Sequence, residues 1–236
     1  MDIRYLTNTT MAKQRKRTGL HREGRGMLLI VVLVVFIINI TAYFYWPHWI
    51  LAILLALSAI ALVFVVYFFR DPVRVFTIDD PDYLVAPADG KVVVIEPVME
   101  NEYFHEQRLQ VSIFMSPFNV HANWYPCEGT ILVSEHQAGN HKAAWLPKSS
   151  IENERSLVVI QTKSNAIIAV RQIAGAMARR IVTYARAGKE CHRNSHLGFI
   201  KLGSRVDLYL PLNTEMFVEM GENVRGNETV IAKLHQ

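Results

Sequence analysis

Two uncharged stretches, Met27 to Tyr45 and Trp49 to Phe69, constrain this chain more than any other feature. Each is about 20 residues, the length an α-helix needs to cross the hydrocarbon core of a bilayer. Neither keeps the polar face of a helix packed on a soluble core, so both read as membrane spans. The connection Tyr45-Trp46-Pro47-His48-Trp49 supplies a helix-breaking proline and aromatics that settle at a membrane interface. A helical hairpin follows. A cleaved signal peptide fits poorly, because the apolar stretch is too long and a second one comes at once.

Lys13, Arg15, Lys16, Arg17, Arg22 and Arg25 precede the first span, and Arg70 and Arg74 follow the second. The positive-inside rule then places both flanks in the cytoplasm. The chain divides into a basic cytoplasmic segment, 1–26, a two-helix transmembrane hairpin, 27–69, and a cytosolic domain, 70–236, at the inner membrane surface. A domain of about 160 residues is large enough for one real core. Net charge is only +4, and the basic cluster lies beside the membrane, where anionic lipid headgroups account for it. No basic face with reading elements points to nucleic acid. Cys127 and Cys191 fit a reduced compartment without a disulfide framework. Cys191, His192 and His196 match no standard zinc spacing, so no metal site is expected.

Beyond Arg70, short β-branched runs alternate with Pro, Gly and Asn punctuation, which predicts a mainly β domain, α+β once the hairpin is counted. Strands are expected at Lys91 to Glu96, Leu109 to Met115, Gly129 to Ser134, Leu157 to Thr162, Ala166 to Ile173, Phe199 to Leu202 and Arg205 to Leu210. Ala176 to Ala185 has the composition of a short helix and a strand-like end, and stays open between them. Glu152-Asn153-Glu154-Arg155 reads as a solvated loop. Two stretches, Ala86 to Ile95 and Met220 to Leu234, each set a glycine-bearing turn before an apolar strand. The second resembles the hairpin of biotinyl and lipoyl carrier domains without their modified lysine. This predicts a compact β-sandwich or barrel-like domain with lipoyl-like hairpins.

Three patches carry candidate chemistry. Gly203-Ser204 places a hydroxyl directly after the least hindered carbonyl a chain can offer, although the same pair is a common turn. Asp89, in Pro87-Ala88-Asp89-Gly90, is a carboxylate on a tight turn or a turn residue only. His121, in Ser116-Pro117-Phe118-Asn119-Val120-His121-Ala122-Asn123, is an imidazole just after a strand, structural or functional. An Asp, a His and a Ser together allow the imidazole, oriented by the carboxylate, to activate a weak hydroxyl nucleophile.

Arg70-Asp71-Pro72-x-Arg74, Ala86-Pro-Ala-Asp-Gly90, Ser112-Ile-Phe-Met-Ser-Pro-Phe-Asn-Val-His121, Asn153-Glu-Arg155, Gln172-Ile-Ala-Gly175, Ala178-Arg-Arg-Ile181 and Leu202-Gly-Ser-Arg-Val-Asp207 occur in an order that resembles the phosphatidylserine decarboxylase family, in its short membrane-hairpin class. The resemblance departs from the family pattern at Trp124-Tyr125 and in the loop Cys191 to Asn194. It implies a proenzyme that cuts itself between Gly203 and Ser204 into a β chain, 1–203, and an α chain, 204–236, which stay together as a heterodimer. Ser204 would become a covalent pyruvoyl cofactor. His121, oriented by Asp89, is the implied base in the cut and acid in turnover. The implied reaction removes carbon dioxide from phosphatidylserine through a Schiff base and leaves phosphatidylethanolamine. Archaetidylserine or another aminophospholipid would serve the same chemistry. A membrane-tethered, non-catalytic β-sandwich carrier or binding module is the alternative of another class.

Overall fold

The computed structural model describes residues 18–139, 153–175, 180–201 and 204–235. They form two compact units, one closing at Val73 and the other opening at Arg74.

In the first unit, the short antiparallel strands β1 (Thr18–Leu20) and β2 (Arg70–Pro72) bracket two helices, α1 (Arg22–Tyr45) and α2 (His48–Phe68). His21 caps α1, its Nδ1 accepting the Glu23 N–H at 3.3 Å. Glu23 sits in the first turn, where a carboxylate complements the helix dipole. The helices pack along a seam that includes Val31, Val35, Asn39 and Ala42, while Phe36, Ile37, Ile60 and Val63 point outward and are mostly exposed. Inside the seam Asn39 Nδ2 donates to Ser58 Oγ at 2.8 Å and to the Val35 carbonyl at 2.7 Å. Both helices are long and apolar enough to cross a membrane.

The second unit is built from antiparallel strands. An eight-stranded curled sheet runs in the order β11 (Glu190–Cys191), β7 (Gly129–Gln137), β8 (Arg155–Thr162), β9 (Ile167–Ala174), β13 (Ser204–Leu210), β5 (Glu106–Met115), β4 (Gly90–Glu100) and β15 (Asn223–Val224). A three-stranded sheet joins β10 (Arg180–Thr183), β12 (His196–Lys201) and β6 (Ala122–Trp124), and another joins β14 (Glu215–Met216), β16 (Val230–Lys233) and β3 (Tyr83–Val85). The result is a half-barrel, mainly β.

Strand β13 occupies the middle of the large sheet, laddered to β5 on one side and β9 on the other, and all seven residues are buried. Alternation along it separates two environments. Val206, Leu208 and Leu210 enter the main core with Val111, Ile113, Met115, Val158, Ile160, Ile168 and Val170. Each fully buried aliphatic side chain there contributes about 1.5–3 kcal/mol. Arg205, Asp207 and Tyr209 face the other way, into a buried polar layer.

The sequence-predicted strands are present, Lys91 to Glu96 as the first part of an eleven-residue β4. Leu202 lies outside the described residues, as do 176–179. Within the segment left open between helix and strand, Arg180–Thr183 forms β10, paired with β12. The solvated-loop reading is corrected: Asn153 is buried and donates to the Ala174 carbonyl at 2.6 Å, and Arg155 opens β8 with its Nε on Glu102 at 2.7 Å. The two turn-and-strand stretches interlock. Asn223 pairs with Lys91 and Val224 with Gly90, while the Ala86 N–H donates to the Thr229 carbonyl and the Asn227 N–H to the Ala86 carbonyl.

Candidate active site

Ser204 begins β13, opposite Met115 of β5 and Ala174 of β9, and is fully buried. Its hydroxyl donates to the Met115 thioether at 3.2 Å. Among the described residues this is its hydrogen-bond partner, so the direct Ser204–His121 contact of an assembled triad is not made here. Gly203 lies outside the described residues.

His121 immediately precedes β6 and is wholly buried. Its carbonyl accepts from the Ile200 N–H at 3.3 Å, and its ring lies 6.3 Å from that of Phe199. The turn Ser116 to Asn119 holds the approach: Asn119 Oδ1 accepts from the Ser116 N–H and hydroxyl, each at 2.8 Å. His121 Nδ1 faces the Asn119 carbonyl at 3.0 Å. A carbonyl only accepts, so Nδ1 carries the proton and Nε2 is the basic nitrogen of the neutral ring.

Asp89 is placed differently from the sequence expectation. Both carboxylate oxygens bond Arg74, Nη2 to Oδ2 at 2.9 Å and Nη1 to Oδ1, and Oδ1 also accepts the Gly226 N–H at 2.8 Å. Among the described residues none of its hydrogen-bond partners is His121. Arg74 further donates to the Gly226 carbonyl at 2.8 Å and approaches Glu228 at 3.7 Å. Its guanidinium lies over the Trp124 ring, 5.1 Å from the centroid, and Trp124 meets His196 edge to face. Gly226 is needed here because a Cβ would meet the Trp124 ring at 2.5 Å. Asp89 thus fixes Gly226 where it lies against Trp124, the last residue of β6.

The loop Cys191 to Asn194 is a clasp. Asn194 Oδ1 accepts from the Phe76 N–H at 2.6 Å and from Asn227 Nδ2 at 2.7 Å, and Arg193 reaches the Asp80 carbonyl at 3.0 Å. Asn194 and Asn227 both take positive φ, which asparagine tolerates better than most side chains. Cys191, His192 and His196 serve separate partners: the Cys127 carbonyl, Glu190 and Trp124. Burial pushes the Cys191 thiol up to about 12 and Cys127 well above its ordinary value.

Behind Ser204, the outward face of β13 is locked by charge. Arg205 Nε donates to Asp207 Oδ1 at 2.5 Å and Nη2 to Ser112 Oγ at 2.7 Å. Arg171 bonds Tyr209, Glu100 and Glu102. Burial works to raise the Glu100 carboxyl, but N–H donors from Phe104, Tyr103 and Glu102 together with Arg171 outweigh it and hold the group below its usual value. Removing one partner of such a buried pair is costly, because it leaves the other charge buried and uncompensated.

The sequence did not single out Arg74, Gly226, Met115 or Gln172 as members of the site, and it gave Asn123 only as the end of the His121 patch and Trp124 only as a departure from the family pattern. Arg74, Met115 and Gln172 do lie inside the ordered motifs, the available signal. Their roles are invisible there because their partners are distant in sequence, 152 residues in the case of Arg74 and Gly226.

Residues 61–232 match the family described as Phosphatidylserine decarboxylase. The chain is 54% identical over 228 residues to the phosphatidylserine decarboxylase proenzyme of Bacteroides thetaiotaomicron, covering 94% of this chain and 98% of that protein. It is 50% identical over 217 residues to the same-named protein of Porphyromonas gingivalis, covering 91% and 98%. It is 45% identical over 220 residues to that of Cytophaga hutchinsonii, covering 92% and 99%. By the extent of these matches and the β architecture that carries them, the chain belongs to the phosphatidylserine decarboxylase family of carboxy-lyases.

Proposed function

We propose that the chain is a proenzyme that cuts its own backbone between Gly203 and Ser204 and then decarboxylates phosphatidylserine. The observation that carries this reading is the Ser204 hydroxyl, buried at the head of the central strand and bonded to a thioether. Sulfur is a weak acceptor, so the proton is released to a base at small cost. His121 is that base, with Nδ1–H committed to the Asn119 carbonyl and Nε2 basic. Asp89 supports it through Gly226 and Trp124.

In the cut, Ser204 Oγ attacks the Gly203 carbonyl carbon as His121 takes the hydroxyl proton. The C–N bond is exchanged for a C–O ester bond, the proton passing from His121 to the freed amine; loss of the Ser204 Cα proton then breaks the Cβ–Oγ bond, releases Gly203 as a carboxylate and leaves an enamine, whose imine tautomer takes up water and loses ammonia to leave a ketone. An uncharged group suits the core side of position 204, where the Ser204 hydroxyl meets the Met115 thioether and the Asn123 amide lies against that sulfur. A pyruvoyl group at position 204 would supply the electron sink that decarboxylation needs. His121 returns a proton to the substrate carbon.

Residues after the cut remain attached in this reading. Strand β13 is laddered to β5 and β9, β15 to β4, and β16 to β3, all partners lying before Gly203. The α chain thus stays in a heterodimer with the β chain. Helices α1 and α2 anchor the enzyme in the inner membrane with the catalytic unit on the cytoplasmic face, beside a lipid whose headgroup alone must leave the bilayer. Archaetidylserine shares that headgroup.

Intact-mass measurement of the purified full-length chain tests the reading. The expected result is two fragments divided at Ser204, the smaller with a blocked N-terminus, releasing carbon dioxide from phosphatidylserine in nanodiscs. A single uncut chain with unmodified Ser204 overturns it and favours the carrier module.

A further inference from the structure

We propose that Gln172 and Asn123 are positioning residues for reaction at Ser204, an inference that rests on the proenzyme reading above. The Ser204 hydroxyl is held by a methionine, whose unbranched side chain turns about three bonds, so another group must specify where the sulfur sits. Asn123 Nδ2 lies 3.7 Å from Met115 Sδ, and Gln172 Nε2 donates to Asn123 Oδ1 at 2.7 Å. Gln172 Oε1 accepts from Ser156 Oγ at 2.7 Å and from Thr183 Oγ1 at 2.6 Å. Ser204, Asn123, Gln172 and Ser156 are all fully buried.

Donor and acceptor chemistry allows one good orientation of this chain. Turning over one amide sets two donors, or two acceptors, against each other. Turning over both leaves the Asn123 oxygen facing a sulfur that has no proton to give, a buried acceptor without a donor. Room for the Gln172 amide comes from Gly198 of β12, where a Cβ would lie 2.7 Å from Nε2.

The chain crosses between sheets. Asn123 belongs to the small sheet and lies two residues after His121, whereas Gln172, Met115 and Ser204 belong to the large one. The apolar core around them includes Met115, Leu197 and Ile200. Such packing is non-directional and does not set an offset between two sheets, but hydrogen bonds of fixed polarity do. Gln172 thereby registers the strand next to the base on the strand of the nucleophile.

The test follows self-cleavage after cell-free synthesis of the full chain into lipid nanodiscs, with kcat and KM measured on the cut product. Gln172→Met keeps the volume and removes both polar ends. Gln172→Glu keeps the acceptors for Ser156 and Thr183 and, at a pH where its carboxyl is ionised, replaces the donor to Asn123 with an acceptor. Each should slow cleavage roughly tenfold, about the weight of one buried hydrogen bond, and lower kcat with KM little changed. Because Gln172 acts through Asn123, Gln172→Met should add nothing in an Asn123→Ala background. Wild-type cleavage rates in both Gln172 variants, or effects that multiply in the double variant, would overturn the inference while leaving the proenzyme reading intact. An uncut wild-type chain defeats that reading first and the inference with it.

Discussion

Replacing Asp89 by Asn separates two roles for this carboxylate, and the structure sets the size of the effect. Its three hydrogen-bond partners are all donors: two Arg74 nitrogens and the Gly226 N–H. An amide retains one oxygen, which can keep Gly226 and one Arg74 nitrogen. Its NH2 must then confront the other, donor against donor. Arg74 keeps the Gly226 carbonyl and, at 3.7 Å, Glu228, which softens the loss. The cost should therefore fall at the lower end for breaking one side of a buried ion pair, about 3 kcal/mol. That corresponds to roughly 6–12 °C in thermal midpoint for a unit of this size. Arg74→Met should cost about as much, since it leaves Asp89 with only a backbone donor. The double variant should fall short of the sum by about 2 kcal/mol or more, because each single change strands the other partner. The assay is thermal and denaturant unfolding in detergent, followed by Trp fluorescence, with every variant also carrying Ser204→Ala so that uncut chains are compared. An Asp89→Asn cost under about 1 kcal/mol, or additivity within about 0.5 kcal/mol, would refute the clamp.

His121→Gln keeps a hydrogen-bonding side chain without a basic nitrogen of useful strength, so cleavage should slow by about 100-fold or more while the thermal midpoint moves by only a few degrees. Cleavage within a few-fold of wild type would remove His121 as the base. Acid sensitivity should follow Glu100: its folded carboxyl is held below the usual value, so its contribution is present above the ordinary range near about 4.3 and lost as pH falls through the lower folded value. Glu100→Gln should lower the midpoint at neutral pH and flatten its fall over that acidic window. Parallel curves for the two proteins would show that the network does not carry the effect.

The six longer strands of the large sheet were legible because each carries an apolar, β-branched run ended by turn residues, as in Leu157 to Thr162. The short strands were not: β15 has two residues, and its existence depends on Gly90 and Lys91, more than 130 positions away. Asn153 to Arg155 looked solvated because its residues are polar. Tertiary partners buried it, through the Ala174 carbonyl, the Ile181 N–H and Glu102.

Asp89 shows the same division at the site. Ordered motifs identified it, His121 and Ser204 as a set, and resemblance suggested one carboxylate orienting one imidazole. The fold instead brings Arg74 and Gly226 to Asp89, with Trp124 packed against both. By itself the sequence determined what is local: two apolar runs of spanning length, the β periodicity of the second unit, the family, and a Gly203-Ser204 pair ahead of an apolar strand. Only the tertiary structure decided which buried polar groups meet, because hydrogen-bond partners are chosen by strand register across the sheets, and register is a property of pairs of distant segments.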